Sequence, residues 1–300
     1  MTPDYTIVAA DYARDRERLH ALREAVFVHE QQVPPALEDD GLDADSHHVL
    51  ALAADGTLLG TARLTAGQRI GRMAVLADAR GRGIGSALLD ALLAEAARRD
   101  WAEVSLHAQA HALPFYARAG FVPFGPAFQE AGIDHRDMRR SVRGPTHFSD
   151  ADGAAATLLA LAAGARSDVG IFSHHLDPGL LDRADVLQAL RRFAVRSGER
   201  RVRILLQDAG TPQRDDAPLL PLAQRLPSTF AFREVEDPVD IGYRSAYAFN
   251  DTGGMCFRPL GDRFLGEGGP RVPVLARRLQ REFDRAWERS RPCLEYRALR

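Results

Sequence analysis

The sequence predicts an α/β protein of two domains, the first with a central mixed sheet and the second a separate α/β unit. Its 300 residues exceed the length that one domain usually has. Hydrophobic residues form 45% and charged residues 27% of the chain, which is a globular composition. Segments with strand spacing alternate with segments of helical spacing, and this alternation favours a largely parallel sheet covered by helices.

The elements predicted for the first domain, residues 1–143, follow from this periodicity. Asp55-Gly56 between two apolar runs is a strong signal for a hairpin turn. The loop "ARGRG" (79–83) separates a strand from a helix whose apolar face begins at Ile84. The predicted strands are 5–10, 48–54, 58–65, 69–76, 102–108, 121–125 and 135–142, and the predicted helices are 15–31, 84–96 and 111–120.

A polar, turn-rich stretch at 143–153 predicts a linker, with 144–152 as its centre, ahead of a second domain over 153–300. The predicted helices of that domain are 154–165, 184–198, 217–226 and 274–290. Its predicted strands are 168–175, 201–208, 229–235, 240–249 and 255–259.

Composition limits the classes of function. A formal net charge of -2 argues against the broad basic surface of a nonspecific nucleic-acid binder. Two cysteines, Cys256 and Cys293, imply no disulfide framework and fit a reducing compartment. The sequence begins without the basic start and apolar core of a signal peptide, and no apolar run approaches the ~20 residues that cross a bilayer. We therefore expect a cytoplasmic protein with no membrane partner.

The loop between strand 69–76 and the next helix is suited to an anion. Amides in the first turn of a helix lack intrahelical partners, and the helix dipole attracts negative charge. Three glycines between 81 and 85 let the backbone approach a pyrophosphate, and Arg80 and Arg82 can add charge-assisted hydrogen bonds. Ser86 replaces the third glycine of a Rossmann loop, and a nucleoside-triphosphate loop needs a lysine, which this sequence lacks entirely.

With Arg80, Gly83 and Gly85, the loop reads R-x-x-G-x-G and resembles the pyrophosphate loop of the GNAT superfamily of acyl-CoA-dependent N-acyltransferases. The stretch "LPFYARAGFVPFG" (113–125), about 30 residues further on, resembles that family's F-Y-x-x-x-G-F signature. The resemblance covers residues 5–142. It implies a GNAT fold that uses acetyl-CoA as acyl donor and needs no metal.

The resemblance also implies the residues of the donor site. Backbone groups of Met73, Ala74 and Val75 would hold the pantetheine arm, and the Val75 amide would donate to the thioester carbonyl oxygen. The residues that would hold the pyrophosphate are those of the loop and the first helical turn: Arg80, Gly81, Arg82, Gly83, Ile84, Gly85 and Ser86.

Acetyl transfer to an amine also needs a proton acceptor for the ammonium and a proton donor for the sulfur. Tyr116 matches the family's general acid, and the alternative is an aromatic packing residue. Glu30 and His107 are the candidates for the base, with His111 and a water relay as alternatives.

Other polar residues near the predicted cleft allow two interpretations each. The acidic run 37–48 would either attract a cationic amine or form a solvated loop. His29 lies where family members place substrate-facing residues, and His135 would face the substrate or end a strand. His107 and His111 are four residues apart, but only the second begins a predicted helix, so the pair does not predict a metal site.

Residues 150–300 resemble a phospholipase-D-like domain in the order of their elements. A leading strand and turn, "VGIFSHHLDP" (169–178), and a closing helix, "FDRAWERS" (283–290), carry this resemblance. The family's motif H-x-K-x-x-x-x-D contains a lysine, so the resemblance implies a domain without phosphodiesterase chemistry. We interpret His174, His175 and Asp177 as a polar turn at a strand end, rather than as a catalytic group.

The sequence therefore predicts an N-acetyltransferase that acts on a small-molecule or peptide amine. The alternative is a catalytically degenerate acyl-CoA sensor whose second domain binds nucleic acid or a protein partner. A homodimer also stays open. The acceptor is not identified, because variable loops form its walls.

Overall fold

The computed structural model of the protein describes residues 4–296, which form two compact units. The first unit contains the described residues up to Ala110 together with Gly125–Arg143. The second contains His111–Phe124 together with the described residues from Gly144 onward. Within 4–296, no helix has the length and apolar character that a membrane span requires.

A seven-stranded mixed sheet forms in the first half of the chain. Its strands are β1 (Tyr5–Ala9), β2 (His47–Ala53), β3 (Leu58–Leu64), β4 (Arg69–Val75), β5 (Glu103–Gln109), β6 (Val122–Glu130) and β7 (Ile133–Ser141). They are arranged in the order β1-β2-β3-β4-β5-β7-β6. β1 to β4 pair antiparallel, β4 and β5 pair parallel, and β5 and β7 pair antiparallel. The β2–β3 hairpin confirms the turn predicted at Asp55-Gly56.

The first predicted helix changes type along its length. It begins as α1 (Tyr12–Arg23), whose N-cap residue Asp11 accepts a backbone hydrogen bond at 3.3 Å. The chain then winds as a π-helix over Glu24–Glu30, so the prediction of one α-helix over 15–31 is wrong there. A short helix, α2 (Pro35–Glu38), follows. π-helical turns are rare and are found mostly at functional sites, where they redirect side chains.

The next helix, α3 (Ile84–Arg98), packs on the sheet through the apolar face that the sequence predicts. The predicted positions on this face are all buried: Ile84, Leu88, Leu89, Leu92, Leu93 and Ala96. Burial of each large aliphatic side chain contributes about 1.5–3 kcal/mol. This packing fixes the start of α3, and with it the loop that precedes the helix.

The second unit begins with α4 (Leu113–Arg118) and is built on an eight-stranded sheet. Its remaining helices are α5 (Ala151–Gly164), α6 (Ala184–Ala194), α7 (Gly210–Arg214), α8 (Leu219–Arg225), α9 (Pro238–Ile241) and α10 (Pro273–Glu288). Its strands are β8 (Thr146–Phe148), β9 (Asp168–Ser173), β10 (Arg201–Leu206), β11 (Phe230–Glu234), β12 (Ala246–Asn250), β13 (Met255–Arg258), β14 (Gly266–Gly269) and β15 (Arg291–Pro292).

The second sheet has the strand order β15-β11-β10-β9-β12-β13-β14-β8. Among the described strands of this sheet, only β9, β10 and β11 pair in parallel, so the prediction of a largely parallel sheet is wrong for this half. β12, β13 and β14 follow one another through connections too short for a crossover helix, and short connections join antiparallel strands. Within the described residues, β14 is a strand that the sequence did not predict, because its sequence GEGG is poor in strand-forming residues.

The predicted linker at 143–153 lies inside the second unit. It contains β8, which pairs with β14, and the start of α5. The Asp150 side chain accepts a hydrogen bond from the Gly153 amide at 2.8 Å and caps that helix. The polar residues of this stretch therefore serve a helix start, and the prediction of a linker there is wrong. Residues 240–249, predicted as one strand, are the end of α9, a turn and most of β12.

Candidate active site

The parallel pair β4 and β5 separates after two residues. Arg69 pairs with Ser105 and Ile70 with Leu106, and the register goes no further. β4 nevertheless stays paired with β3 as far as Val75. The two parallel strands therefore diverge toward their carboxyl ends, which leaves room for an extended ligand beside residues 73–75.

A β-bulge in β4 accompanies this divergence. Thr61 pairs with Ala74 and Arg63 with Gly71, so two residues of β4 lie opposite one residue of β3. Arg72 is in the bulge, in the left-handed region with φ of 50°. Bulges bend a strand and change the direction of its peptide groups. Sequence reasoning missed this bulge, because Arg72 is not a residue type that favours positive φ.

The backbone of Val75 points away from β3. The Leu76 amide donates to the Leu59 carbonyl oxygen on β3 at 3.0 Å. Since peptide groups alternate in direction along a strand, the N–H and C=O of Val75 face the side on which β5 has diverged. The amide predicted to contact the thioester oxygen is therefore directed into the opening between the two strands.

The loop after β4 enters α3 through two left-handed glycines. Gly81 has φ of 77° and Gly83 φ of 84°, a conformation that side chains other than glycine rarely adopt. Gly83 is the N-cap of α3 and supplies no side-chain hydrogen bond to the helix. The first-turn amides of Ile84, Gly85 and Ser86 are thus in the position from which a helix N-terminus binds an anion.

The two loop arginines pair with carboxylates of the first unit. Arg80 donates through Nη1 and Nη2 to the two carboxylate oxygens of Glu30, at 2.7 and 2.6 Å, and through Nε to the Val75 carbonyl oxygen at 3.0 Å. Arg82 Nη2 lies 2.7 Å from Asp4 Oδ2. Both arginines were predicted to contact phosphate, and here each is occupied by an internal anion.

This contact changes the interpretation of Glu30 as a candidate base. The hydrogen bonds from Arg80 lower the pKa of the Glu30 carboxyl. A carboxylate that is stabilised in its ionised form accepts a proton less readily. While it is paired with Arg80, Glu30 is therefore a poor base.

His107 lies on β5, as predicted, and its ring is between two carboxylates. Nδ1 is 3.4 Å from Glu130 Oε2, and Nε2 is 3.2 Å from Asp137 Oδ1. The Phe128 ring meets the imidazole edge-on, with 5.1 Å between centroids. Each ring nitrogen of His107 therefore lies near a carboxylate oxygen. Two residues further on, Gln109 donates to Gln31 Oε1 at 3.0 Å, which ties the end of β5 to the chain just after Glu30.

Tyr116 lies on α4 and therefore in the second unit. Its ring meets those of Phe115 and Phe121 edge-on, with centroids 4.9 and 6.0 Å away. Burial raises the pKa of the Tyr116 hydroxyl to about 12. The hydroxyl consequently keeps its proton at neutral pH, which is the state that a proton donor requires.

The acidic run 37–48 is neutralised by arginines from distant parts of the sequence. Arg23, which is fully buried, donates to Glu38 and, at 2.8 Å, to Asp43. Arg63 donates to Asp43 Oδ1 at 2.6 Å and to Asp40 Oδ1 at 2.7 Å. The hydrogen bonds from Arg63 hold the pKa of Asp40 well below its usual range. For these three carboxylates both predictions, attraction of an amine and free solvation, are therefore wrong.

The remaining histidine candidates are His29, His135 and His111. His29 is 71% exposed and lies 3.9 Å from Glu24. His135 Nδ1 is 2.8 Å from the Ile133 carbonyl oxygen, and its ring stacks on Phe128. His111 lies in a 3-10 turn, not in the predicted helix. Across the described part of the chain, no three His, Cys, Asp or Glu side chains are grouped so that they could hold a metal ion.

In the second unit, the residues after β9 form a tight polar turn, as the sequence predicts. Asp177 accepts a hydrogen bond from the Ser173 hydroxyl at 2.7 Å and pairs with the buried Arg258. Leu176 and Asp177 have positive φ of 66° and 33°. The contacts of Asp177 with Ser173 and Arg258 thus stabilise the turn.

A bulged β4 leaves its parallel partner, and the helix after it is entered through glycines. This is the strand–loop–helix order that the resemblance to acyl-CoA-dependent N-acyltransferases implies. Residues 4–142 match the family model of the acetyltransferase (GNAT) domain. A UPF0039 protein of Mycobacterium tuberculosis is 39% identical over 136 residues, 43% of this chain and 85% of the relative. The protein ElaA of Escherichia coli is 36% identical over 130 residues, 40% of this chain and 84% of the relative. The chain belongs to the GNAT acetyltransferase family, whose members use acetyl-CoA as acyl donor.

Further comparisons cover the same domain and the second one. An uncharacterized N-acetyltransferase of Bacillus subtilis, YjcF, is 34% identical over 122 residues, 40% of this chain and 87% of the relative. A solved acyl-CoA N-acyltransferase from Pseudomonas aeruginosa is 37% identical, with a TM-score of 0.41, and the match covers 45% of this chain and 99% of that one. Residues 150–299 match a different family model, a domain of unknown function (DUF7931).

Proposed function

We propose that this protein transfers an acetyl group from acetyl-CoA to the amine of an acceptor that is still unidentified. The observation that carries the proposal is the junction between β4 and α3. There β4 leaves β5 after Ile70, and the chain enters α3 through Gly81 and Gly83 in left-handed conformations. An extended, amide-containing arm and a pyrophosphate would find main-chain partners at this one junction.

Donor binding would rely on the backbone. Met73, Ala74 and Val75 lie on the part of β4 from which β5 has separated, so their peptide groups would pair with the pantetheine arm as a neighbouring strand would. The first-turn amides of α3 would face the pyrophosphate. Acetyl-CoA supplies an activated thioester carbonyl, and the Val75 amide would stabilise the negative charge that develops on its oxygen.

Two side chains would move the protons. His107, which lies between Glu130 and Asp137, would take the proton of the attacking ammonium. Tyr116 would give its proton to the sulfur as the thiolate leaves, and the resemblance to the family's tyrosine supports this role. Glu30 is a weaker candidate for the base because the hydrogen bonds from Arg80 lower the pKa of its carboxyl.

A calorimetric titration tests the donor site. Acetyl-CoA and CoA should bind the purified protein saturably, and NAD should not bind. Gly83→Glu should abolish acetyl-CoA binding, because it places a carboxylate against the pyrophosphate and strains a residue with positive φ. Gly67→Glu is the control, since it adds the same charge in the β3–β4 turn, at the other end of β4, where a Cβ atom meets little. Undiminished binding by Gly83→Glu would refute the loop assignment.

Three finer assignments belong to the same proposal. We place the acetyltransferase domain at 1–143 and a second α/β domain after it, to which β8 of the stretch 144–152 also belongs. The second domain is proposed to be phospholipase-D-like and non-catalytic, which is supported by its alternation of strands and helices and by the absence of lysine from the sequence. A cytoplasmic location is supported by two buried free cysteines, Cys256 and Cys293.

A further inference from the structure

We infer that Glu30 competes with the cofactor's phosphate for Arg80. It neutralises Arg80 until acetyl-CoA displaces it, and it thereby lowers the affinity of the protein for acetyl-CoA. This inference rests on the proposed function, because it assumes that acetyl-CoA binds at the loop before α3. It gives Glu30 a role in donor affinity rather than in proton transfer.

The geometry of the contact is that of an arginine bound to an anion. Both terminal nitrogens of Arg80 bind both carboxylate oxygens of Glu30, at 2.7 and 2.6 Å, which is the bidentate arrangement that guanidinium also forms with phosphate. Arg80 is the first residue of the R-x-x-G-x-G loop, and Gly83, the N-cap of α3, is three residues further on. Glu30 thus puts a negative charge beside the position proposed for the pyrophosphate.

The Arg80–Glu30 ion pair is exposed, so another anion can replace Glu30 on Arg80. The side chains of Arg80 and Glu30 are 44% and 42% exposed, and exposed ion pairs of this kind contribute little to stability. Arg23 and Arg63, by contrast, are buried in their carboxylate pairs. Breaking the Arg80–Glu30 pair therefore costs little, whereas a pyrophosphate offers Arg80 a greater negative charge.

One contact would hold Arg80 in place during the exchange. Its Nε donates to the Val75 carbonyl oxygen at 3.0 Å, at the end of β4. This bond does not involve the two terminal nitrogens that bind Glu30. The guanidinium can consequently change its anion while it stays anchored to the strand that precedes the loop.

The inference predicts that substitutions of Glu30 and of Arg80 change the affinity for acetyl-CoA in opposite directions. We expect Glu30→Gln to bind acetyl-CoA about threefold more tightly than wild type at low salt, because one repelling charge is removed. The gain should diminish at high salt. Arg80→Gln should bind about tenfold more weakly, because it loses a charge-assisted contact with the pyrophosphate. If the pair were only structural, both variants would bind more weakly.

Two controls make the titration decisive. Asp100→Asn removes one carboxylate from an exposed ion pair with Arg143, beyond the opposite end of α3, and should leave the affinity unchanged. Glu30→Ala provides a second variant in case Glu30→Gln folds poorly, which its thermal melting would show. Equal or weaker binding by folded Glu30 variants would overturn the inference. Failure of the wild-type protein to bind acetyl-CoA would instead overturn the proposed function.

Discussion

The Arg72 guanidinium donates through Nε to the Glu38 carbonyl oxygen at 3.0 Å, across 34 positions of the sequence. Its Nη2 also lies 3.2 Å from the Leu37 carbonyl oxygen and 3.1 Å from Asp40 Oδ2. Arg72 is at the same time the left-handed residue of the β4 bulge. Arg72 therefore binds the acidic run 37–48 through its side chain. Through its backbone it bends β4, the strand of the proposed donor site.

Replacement of Arg72 should affect turnover more than donor binding. We expect Arg72→Ala to lower kcat about tenfold, because Val75 loses the fixed orientation that the bulge gives it, with the Kd for acetyl-CoA changed less than about twofold. Arg72→Gly should be more stable than Arg72→Ala by roughly 1 kcal/mol, since glycine adopts positive φ without strain. Steady-state kinetics and thermal unfolding measure both effects. Wild-type kcat in both variants would contradict the positioning role.

Low pH should reduce the stability of the first unit, because Asp43 becomes protonated. Burial alone would raise the pKa of this carboxyl, but Arg63 and Arg23 outweigh burial and lower it below the ordinary value. A lowered pKa gives a contribution to stability that is fully present above the unfolded pKa of about 3.9 and is lost as the pH falls through the folded value. Asp43→Asn should cost about 1.5–3 kcal/mol at neutral pH, because Arg23 and Arg63 each lose one of their two carboxylate partners.

Urea unfolding followed from pH 7 to pH 2 measures this contribution. The difference in unfolding free energy between wild type and Asp43→Asn should be constant above about pH 4 and should shrink below it. Asp45→Asn, an exposed position in the same segment, is the control and should change the stability little. A difference that stays constant down to pH 2 would show that the Asp43 charge is not the source of the effect.

Tyr116→Phe should separate chemistry from binding. We expect kcat to fall by about 10²–10³-fold, with acetyl-CoA affinity nearly unchanged, because the substitution removes the proton-donating hydroxyl and keeps the aromatic ring. Burial raises the Tyr116 pKa to about 12, so the group stays protonated at all lower pH values. The wild-type rate should therefore show no alkaline loss from this residue below about pH 11. An unchanged kcat in Tyr116→Phe would assign the ring to packing alone.

Gly170→Ala should destabilise the second unit. Gly170 on β9 lies opposite Phe249 on β12, and a Cβ atom there would overlap the Phe249 ring. Forcing a methyl group into this packed interior should cost about 1–3 kcal/mol, and the thermal transition of the unit should fall accordingly. Gly67→Ala is the control, because the nearest atom to its Cβ position is the Thr65 hydroxyl at 3.7 Å. Equal stability of the two variants would show that β9 and β12 can move apart.

Local signals in the sequence were sufficient for most of the first unit. The apolar face from Ile84 onward and the Asp55-Gly56 turn depend on neighbouring residues, so periodicity and turn chemistry predicted them. The loop at Arg80 and Gly83 was found for the same reason, because its glycines and the helix after it are adjacent in the chain.

Features that depend on distant residues could not be predicted. The bulge at Arg72 depends on the pairing of β4 with β3, and the compensation of the Asp43 negative charge depends on Arg23 and Arg63. The Arg80–Glu30 pair joins residues 50 positions apart. The stretch before α5 was predicted to be a linker, because helix N-caps and flexible connections are rich in the same types of polar residue.

The charges that hold the acidic segment to the first sheet all come from guanidinium groups, those of Arg23, Arg63 and Arg72. A lysine ammonium can lose its proton and become acetylated, which removes its charge, whereas the delocalised guanidinium stays protonated. An enzyme that uses acetyl-CoA thus has structural cations whose charge acetylation does not remove. Because the sequence contains no lysine, no side-chain ammonium of the chain competes with the acceptor for the acetyl group.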